Sequence, residues 1–228
     1  MHVLGKDRAT LADDQGLFLD RTWRLHPAIC AFASDYYEGR LRSVGALARQ
    51  RLDGDTPFAG AGLFLVEVPH DGNQSRSNEE IDAIERIARH LLAGTRWTDH
   101  EGRTRPLEPS DILVVAPYNA QVSALRRTLA PLGVTRVGTV DKFQGQEAPI
   151  VIYSCTASSP QDAPRGMAFL YDPHRFNVAT SRARGAVIVV ASPALFEANC
   201  RTPEQMRWAN GLCRYREVAK QLGRLQVL

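Results

Sequence analysis

The sequence predicts an α/β fold with a central, mostly parallel sheet covered by helices on both faces. Three observations carry that prediction. Residues 112–116, 149–154 and 186–191 are continuous apolar runs, as strands buried on both faces require. Segments with apolar residues at helical spacing lie between the runs. Strand and helix alternate along the chain, so the connections are crossovers and the pairing is parallel.

The elements follow in order. Residues 26–37 read as a helix with Ile29, Phe32, Ala33 and Tyr36 on one face. Residues 43–61, rich in Arg, Gly and Asp, read as loop, and 63–68 as a short strand. Ser77-x-x-Glu80 is a capping box, after which Ile81, Ile84, Ile87, Ala88 and Leu91 recur at helical spacing until Gly94. Pro117 stops the strand at 112–116, and Asn119 is expected to cap a helix carrying Val122, Leu125 and Leu129. Residues 136–140 form a short strand. A helix over 172–183 joins the two buried strands that follow, after a Ser/Pro/Asp-rich loop at 157–166. Residues 203–222 read as an amphipathic helix, with Met206, Trp208 or Ala209, Leu212 and Val218 as packing candidates. The expected organisation is one domain over 1–200, its core at about 16–192, and a helical extension at 201–228. No internal repeat or low-complexity tract is present.

Composition bounds the function classes. A chain of 228 residues suffices for one sizeable core. The net charge of +3 permits a nucleic-acid partner without arguing for one. Lysine occurs only at Lys6, Lys142 and Lys220, so arginine carries the positive charge. Genome composition accounts for that bias, although arginine also forks onto phosphate as lysine cannot. No apolar run approaches the roughly 20 residues of a membrane span, and residues 1–7 lack the apolar core of a signal peptide. A cytoplasmic protein with no membrane contact is expected. Cys30, Cys155, Cys200 and Cys213 include no C-x-x-C pair and no histidine at zinc spacing, so no metal site is expected.

Four motifs carry chemistry. The first, Val-Gly-Thr-Val-Asp-Lys-Phe-Gln-Gly-Gln-Glu at 137–147, turns from a strand into a short helix. Strand carboxyl ends and helix amino ends are where α/β sheets take ligands. Thr139 is placed to donate to a phosphate, and Gln144 and Glu147 to face a groove. A plain turn with a solvated helix remains an equal alternative on this motif alone. The second is the segment 169–184, where Asn177 and Ser181 share a helix face and Arg182 lies one step round. A guanidinium delivered there can reach a γ-phosphate. Its alternative, a cation at a helix carboxyl end, suits Arg184 better than Arg182. The third is Trp23-Arg24 before His26-Pro27, an aromatic platform beside a phosphate-seeking arginine. The fourth is Ala116-Pro117-Tyr118-Asn119-Ala120-Gln121, a strand-to-helix turn with Tyr118 or Gln121 exposed for backbone recognition.

In this order the motifs resemble the second, C-terminal RecA-like domain of superfamily 1 helicases, in the branch of the nonsense-mediated-decay and Okazaki-processing helicases. The branch pattern Y-R-M-H-P is matched by Trp23 to Pro27, T-P-Y-x-x-Q by Ala116 to Gln121, and T-V-D-x-F-Q-G-x-E in full by Thr139 to Glu147. L-N-V-A-x-T-R-A is matched by Phe176 to Ala183, with Ser181 in place of Thr. The wording at 22–27 is most similar to bacterial fusions of a RecB-like nuclease to this helicase.

The resemblance implies a RecA-like, P-loop NTPase-type three-layer fold, with the P-loop itself absent from this sequence. It implies Arg24 and Arg182 as the catalytic arginine fingers. It implies ATP contacts from Trp23, Arg24, Gln144, Gly145, Glu147 and Arg182, and nucleic-acid contacts from Pro117, Tyr118, Gln121, Thr139 and Asp141. ATP with Mg2+ would be held mainly by a first RecA-like domain, and the strand would be single-stranded DNA, with RNA also possible. An upstream nuclease domain, a DNA-repair setting and 5′→3′ movement are implied only by the likeness.

The sequence holds neither G-x-x-x-x-G-K-[ST] nor an Asp-Glu pair after an apolar strand. The chain alone is therefore expected neither to hydrolyse ATP nor to unwind a duplex. Two readings follow: a piece of a larger helicase, or a free-standing nucleic-acid-binding module without ATPase activity.

Overall fold

The computed structural model describes residues 16–143 and 145–222. In chain order the strands are β1 (Arg21–Thr22), β2 (Arg42–Ser43), β3 (Arg51–Asp53), β4 (Gly62–Glu67), β5 (Arg96–Thr98), β6 (Thr104–Pro106), β7 (Ile112–Val115), β8 (Val137–Gly138), β9 (Ala148–Ser154), β10 (Ala183–Ala191) and β11 (Lys220–Leu222). The α-helices are α1 (Pro27–Ser34), α2 (Asn78–Gly94), α3 (Asn119–Leu129), α4 (Met167–Leu170), α5 (Pro173–Thr180) and α6 (Pro203–Val218).

Six strands form the central sheet in the order β11-β4-β10-β9-β7-β8, and every neighbouring pair is parallel. This is the three-layer RecA-like architecture. The apolar runs supply it because alternate side chains leave on opposite faces and both faces are covered. Val151 and Tyr153 of β9, with Val187 and Val189 of β10, pack into the cluster that holds α1, α5 and α6. Ile150, Ile152, Ile188 and Val190 pack into the other, with α2 and α3.

Local chemistry sets the helix ends. Ser77 caps α2, its Oγ accepting from the Glu80 amide at 3.1 Å. Asp172 caps α5, accepting from the His174 and Arg175 amides. His26 caps α1 with its imidazole, accepting from Ala28 N–H at 3.1 Å. Asn119 is not the cap of α3 but its first helical residue; Tyr118 stands at the cap position without a side-chain bond.

Three further departures from the sequence reading matter. The 43–61 stretch includes β3, which pairs antiparallel with β5, and β5 with β6, as a second small sheet. Leu52, Phe58 and Trp97 anchor it against the α2 face. The helix expected over 172–183 ends at Thr180, which places Arg182 in the turn before β10. The segment read as a helical extension also belongs to the core. Tyr215 of α6 is fully buried, and its hydroxyl donates to the carbonyls of Phe64 and Val187, both at 3.0 Å. The chain then adds β11 to the sheet edge beside β4. Among the described residues no helix is long and apolar enough to cross a membrane.

Candidate functional site

Because the sheet is parallel, its two edges are chemically distinct. Glu147 immediately precedes β9 and Arg182 immediately precedes β10, so both stand at the amino edge. Pro117 and Tyr118 follow β7 and Thr139 follows β8, at the carboxyl edge. The motif from Thr139 to Glu147 thus runs back across the sheet from one edge to the other. Phe143, 3% exposed, pins it to the core midway. The expectation of one groove at the strand carboxyl ends is corrected: Glu147 is carried to the opposite edge.

The amino edge holds an arginine cluster. Arg24 donates from Nε to a Glu147 carboxylate oxygen at 2.6 Å and from Nη1 to the Ser181 carbonyl at 3.3 Å. Arg184 reaches the other Glu147 oxygen at 3.9 Å and lies 5.6 Å from the Trp97 ring. Arg136 donates to the Glu147 carbonyl at 2.9 Å and to Gln146 at 3.3 Å. The backbone of Arg182 bonds to Ala179 and Ala148, but its side chain makes no hydrogen bond or ion pair among the described residues, and its Nε is buried without a partner. Burial, and then the charge of Arg24, hold its pKa below the ordinary arginine value. Burial acts likewise on Arg136, with Arg184 adding to it against Asp111.

Two guanidiniums, Arg24 and Arg184, thus meet the Glu147 carboxylate, Arg136 holds its backbone carbonyl, and Arg182 lies near Arg24. A buried donor left unpaired costs about 1–3 kcal/mol, more when charged, so Arg182 and the equally orphaned Nε of Arg184 favour an incoming anion. The Arg24–Glu147 pair does not block one. Its side chains are 31% and 42% exposed, and such pairs are worth about 0–1 kcal/mol.

Beside the cluster lies a cleft of about 440 Å3 lined by Thr22, Trp23, Arg24, Tyr37, Glu147 and Ser181. Trp23 is 77% exposed on its rim, an indole face open to stacking. Asn177 is buried and donates to the Tyr37 hydroxyl at 3.2 Å, holding α5 against the residues after α1. Gly145 adopts φ +81°, a left-handed turn that suits glycine. Gln144 lies outside the described residues.

Two arginines of this cluster escaped the sequence reading or were ranked low. Arg136 carries no motif signal. Arg184, which the sequence suits to a helix carboxyl end, instead sits in a bulge of β10, where one extra residue falls between Ala183 and Ala186 opposite β9. Bulges re-aim side chains beside functional sites. Gly185 completes the bulge because a Cβ there would lie 2.3 Å from the Trp97 ring.

At the carboxyl edge the predicted residues separate. Pro117 and Thr139 are half-buried and Asp141 is exposed. Tyr118 is buried at 6% exposure, and desolvation pushes its hydroxyl up to about 12. Gln121 is fully buried. Its carbonyl accepts from Ser77 N–H at 2.9 Å, and its amide donates to Ser154 Oγ at 2.9 Å and to the Ser77 carbonyl at 3.3 Å. Neither side chain is exposed, which corrects the sequence reading. Gln121 belongs to a buried polar network with Glu80, His70, Ser154 and Thr156. There Glu80 accepts from the Thr156 amide at 2.9 Å and holds that residue at φ +73°. Among the described residues no group of three His, Cys, Asp or Glu side chains that could hold a metal is gathered.

The three-layer parallel fold, with an arginine cluster at the amino edge and the four motifs in order, defines a nucleic-acid helicase domain of superfamily 1. A sequence profile described as an AAA domain matches residues 6–194, and the chain belongs to that family. A mouse relative named 3'-5' exoribonuclease HELZ2 is 31% identical over 223 residues, 86% of this chain and 7% of its own length. A regulator of nonsense transcripts 1 homolog from Neurospora crassa is 30% identical, over 75% of this chain and 16% of its own. The Drosophila melanogaster homolog of the same name is 30% identical, over 77% and 15%. The chain therefore spans well under a fifth of these relatives. They bear out the nonsense-transcript branch and not the likeness to bacterial nuclease fusions.

Proposed function

We propose that this chain is the C-terminal motor half of an ATP-dependent helicase. The observation that carries the reading is Arg182, a guanidinium with a buried, unpartnered Nε beside Arg24, which itself lines the Trp23 cleft together with Ser181, the residue before Arg182. The residues present fit a triphosphate: an aromatic face, two arginines and an exposed carboxylate near it. ATP, bound with Mg2+ chiefly by a partner RecA-like domain that has a P-loop, would supply the phosphoryl group whose transfer to water releases energy. Arg24 and Arg182 stabilise charge on the transferring group, Trp23 stacks on the base, and Glu147 meets the ribose after releasing Arg24. Gln144 and Gly145 precede that position in the motif.

The carboxyl edge, with Pro117, Thr139 and Asp141, is the face for a single strand. Tyr118 and Gln121 act there by shaping the turn from beneath. Motion passes between the edges along 139–147, which joins them directly. Single-stranded DNA is the strand the nuclease-fusion likeness implied, whereas the relatives' names, an exoribonuclease and regulators of nonsense transcripts, speak of RNA. Titrating both in parallel decides the preference.

The test is strand-stimulated ATPase. The chain alone should show none, and turnover should appear when it is joined to a P-loop-bearing RecA-like domain. Robust turnover by the isolated chain, lost on Arg182→Ala, would contradict the division of labour.

A further inference from the structure

A second basic site lies at the carboxyl edge, where Arg165, which no motif marks, meets the first residues of the 169–184 segment. The loop after β9 carries Arg165 just before α4, and Phe169 of α4 packs against Tyr118 in the turn after β7. The Arg165 guanidinium carbon sits 3.9 Å from the centroid of the Phe169 ring, and that of Arg175 sits 4.7 Å from the same centroid. The ring in turn contacts Tyr118, centroid to centroid 5.6 Å.

The two arginines differ in their charge partners. Arg175 is answered by Asp172 at 3.5 Å and Asp141 at 3.7 Å. Arg165 is exposed and has no carboxylate within ion-pair distance among the described residues. Its guanidinium rests on the aromatic face, with Tyr118 also within its electrostatic reach. Stacking fixes the plane of the guanidinium while leaving its N–H donors free, and this geometry suits a phosphodiester oxygen pair. An arginine held over an aromatic at a strand-binding edge also offers a surface on which a base can lie.

We propose that Arg165, oriented by Phe169, is a backbone-phosphate contact for single-stranded nucleic acid. The proposal rests on the carboxyl edge being the strand face. Asp141 and Asp172 then serve to hold Arg175 against the same ring, which steadies Phe169 as a platform for Arg165.

The experiment is fluorescence anisotropy of the full chain with a labelled dT oligonucleotide of about 16 nucleotides, repeated with oligo-U, across a salt series. One phosphate contact contributes about 0.7 to the log–log salt slope on a single strand, equivalent to about eightfold in affinity at about 50 mM salt. Arg165→Ala should lose both, and Arg165→Lys should recover the slope but not the full affinity. Wild-type binding with Arg165→Ala unchanged in affinity and slope overturns this inference alone. Lost affinity with an unchanged slope also overturns it, because it marks a structural effect. A wild-type chain that binds neither oligonucleotide at low salt overturns both this inference and the strand-face reading.

Discussion

The family resemblance assigns Gln121 to the strand, yet its surroundings are those of a structural glutamine. Substituting Gln121→Ala removes two hydrogen bonds of 2.9 Å and one of 3.3 Å from a fully buried site. Each such bond is worth about 1 kcal/mol net, and the orphaned Ser77 N–H adds a desolvation penalty of about 1–3 kcal/mol. The longest bond counts for less, so the loss should be about 3–5 kcal/mol. Ser77 also caps α2, so the damage falls where that helix begins. With a urea slope of about 2–3 kcal/mol/M for a domain of this size, the midpoint should fall by at least about 1 M. Urea titration followed by tryptophan fluorescence measures this. A salt series of strand binding, taken well below the new midpoint, should show the wild-type slope. A variant within about 0.5 kcal/mol of wild type, with a slope reduced by about 0.7, would refute the reasoning and return Gln121 to the strand.

Two further predictions concern the frame of the arginine cluster. Gly185→Ala drives a methyl into Trp97 and should destabilise by about 1–3 kcal/mol, with a matching fall in thermal midpoint; unchanged melting would mean that the bulge is not held by that contact. His26 caps α1 as a neutral imidazole, and burial lowers its pKa from the ordinary 6.5, outweighing a backbone bond to Ala48 that raises it. The unfolded chain therefore binds the proton more tightly. This contribution to stability is full above pH 6.5 and lost as pH falls through the folded value. His26→Asn keeps a capping acceptor without titrating, so urea midpoints between pH 7 and 5 should drop more for wild type than for the variant; parallel profiles would exclude His26 as the source.

Much of this architecture is legible in the residues themselves. Five of the six central strands are legible, four of them as apolar runs that burial on both faces favours and β8 as a short strand beside them. β11 is not: Lys-Gln-Leu at an edge buries one side chain and owes its place to its neighbour β4. The small sheet is hidden for a similar reason, since Arg51-Leu52-Asp53 is too short to show a period. At the site, Trp23, Arg24, Glu147 and Arg182 could be named from motif spacing, and the fold brings Trp23, Arg24 and Glu147 around one cleft with Arg182 beside Arg24. Exposure could not be read. Nothing in Pro-Tyr-Asn-Ala-Gln reveals that the amino end of α2, more than 40 residues earlier, encloses Gln121. Arg136 and Arg184 depend equally on long-range placement, one on the turn before β8 and the other on a one-residue bulge.

The central claim is that Arg182 serves the transition state of ATP hydrolysis and nothing in the fold. Its most direct test is the steady-state ATPase of this chain joined to a P-loop-bearing RecA-like domain, comparing wild type, Arg182→Ala and Arg182→Lys at saturating single strand. The account predicts that kcat falls by about 10^3-fold or more for Arg182→Ala, with KM and urea stability little changed, and that lysine, lacking the planar fork, restores only a small part. A kcat within about threefold of wild type for Arg182→Ala, well below the effect expected of an arginine finger, would contradict it.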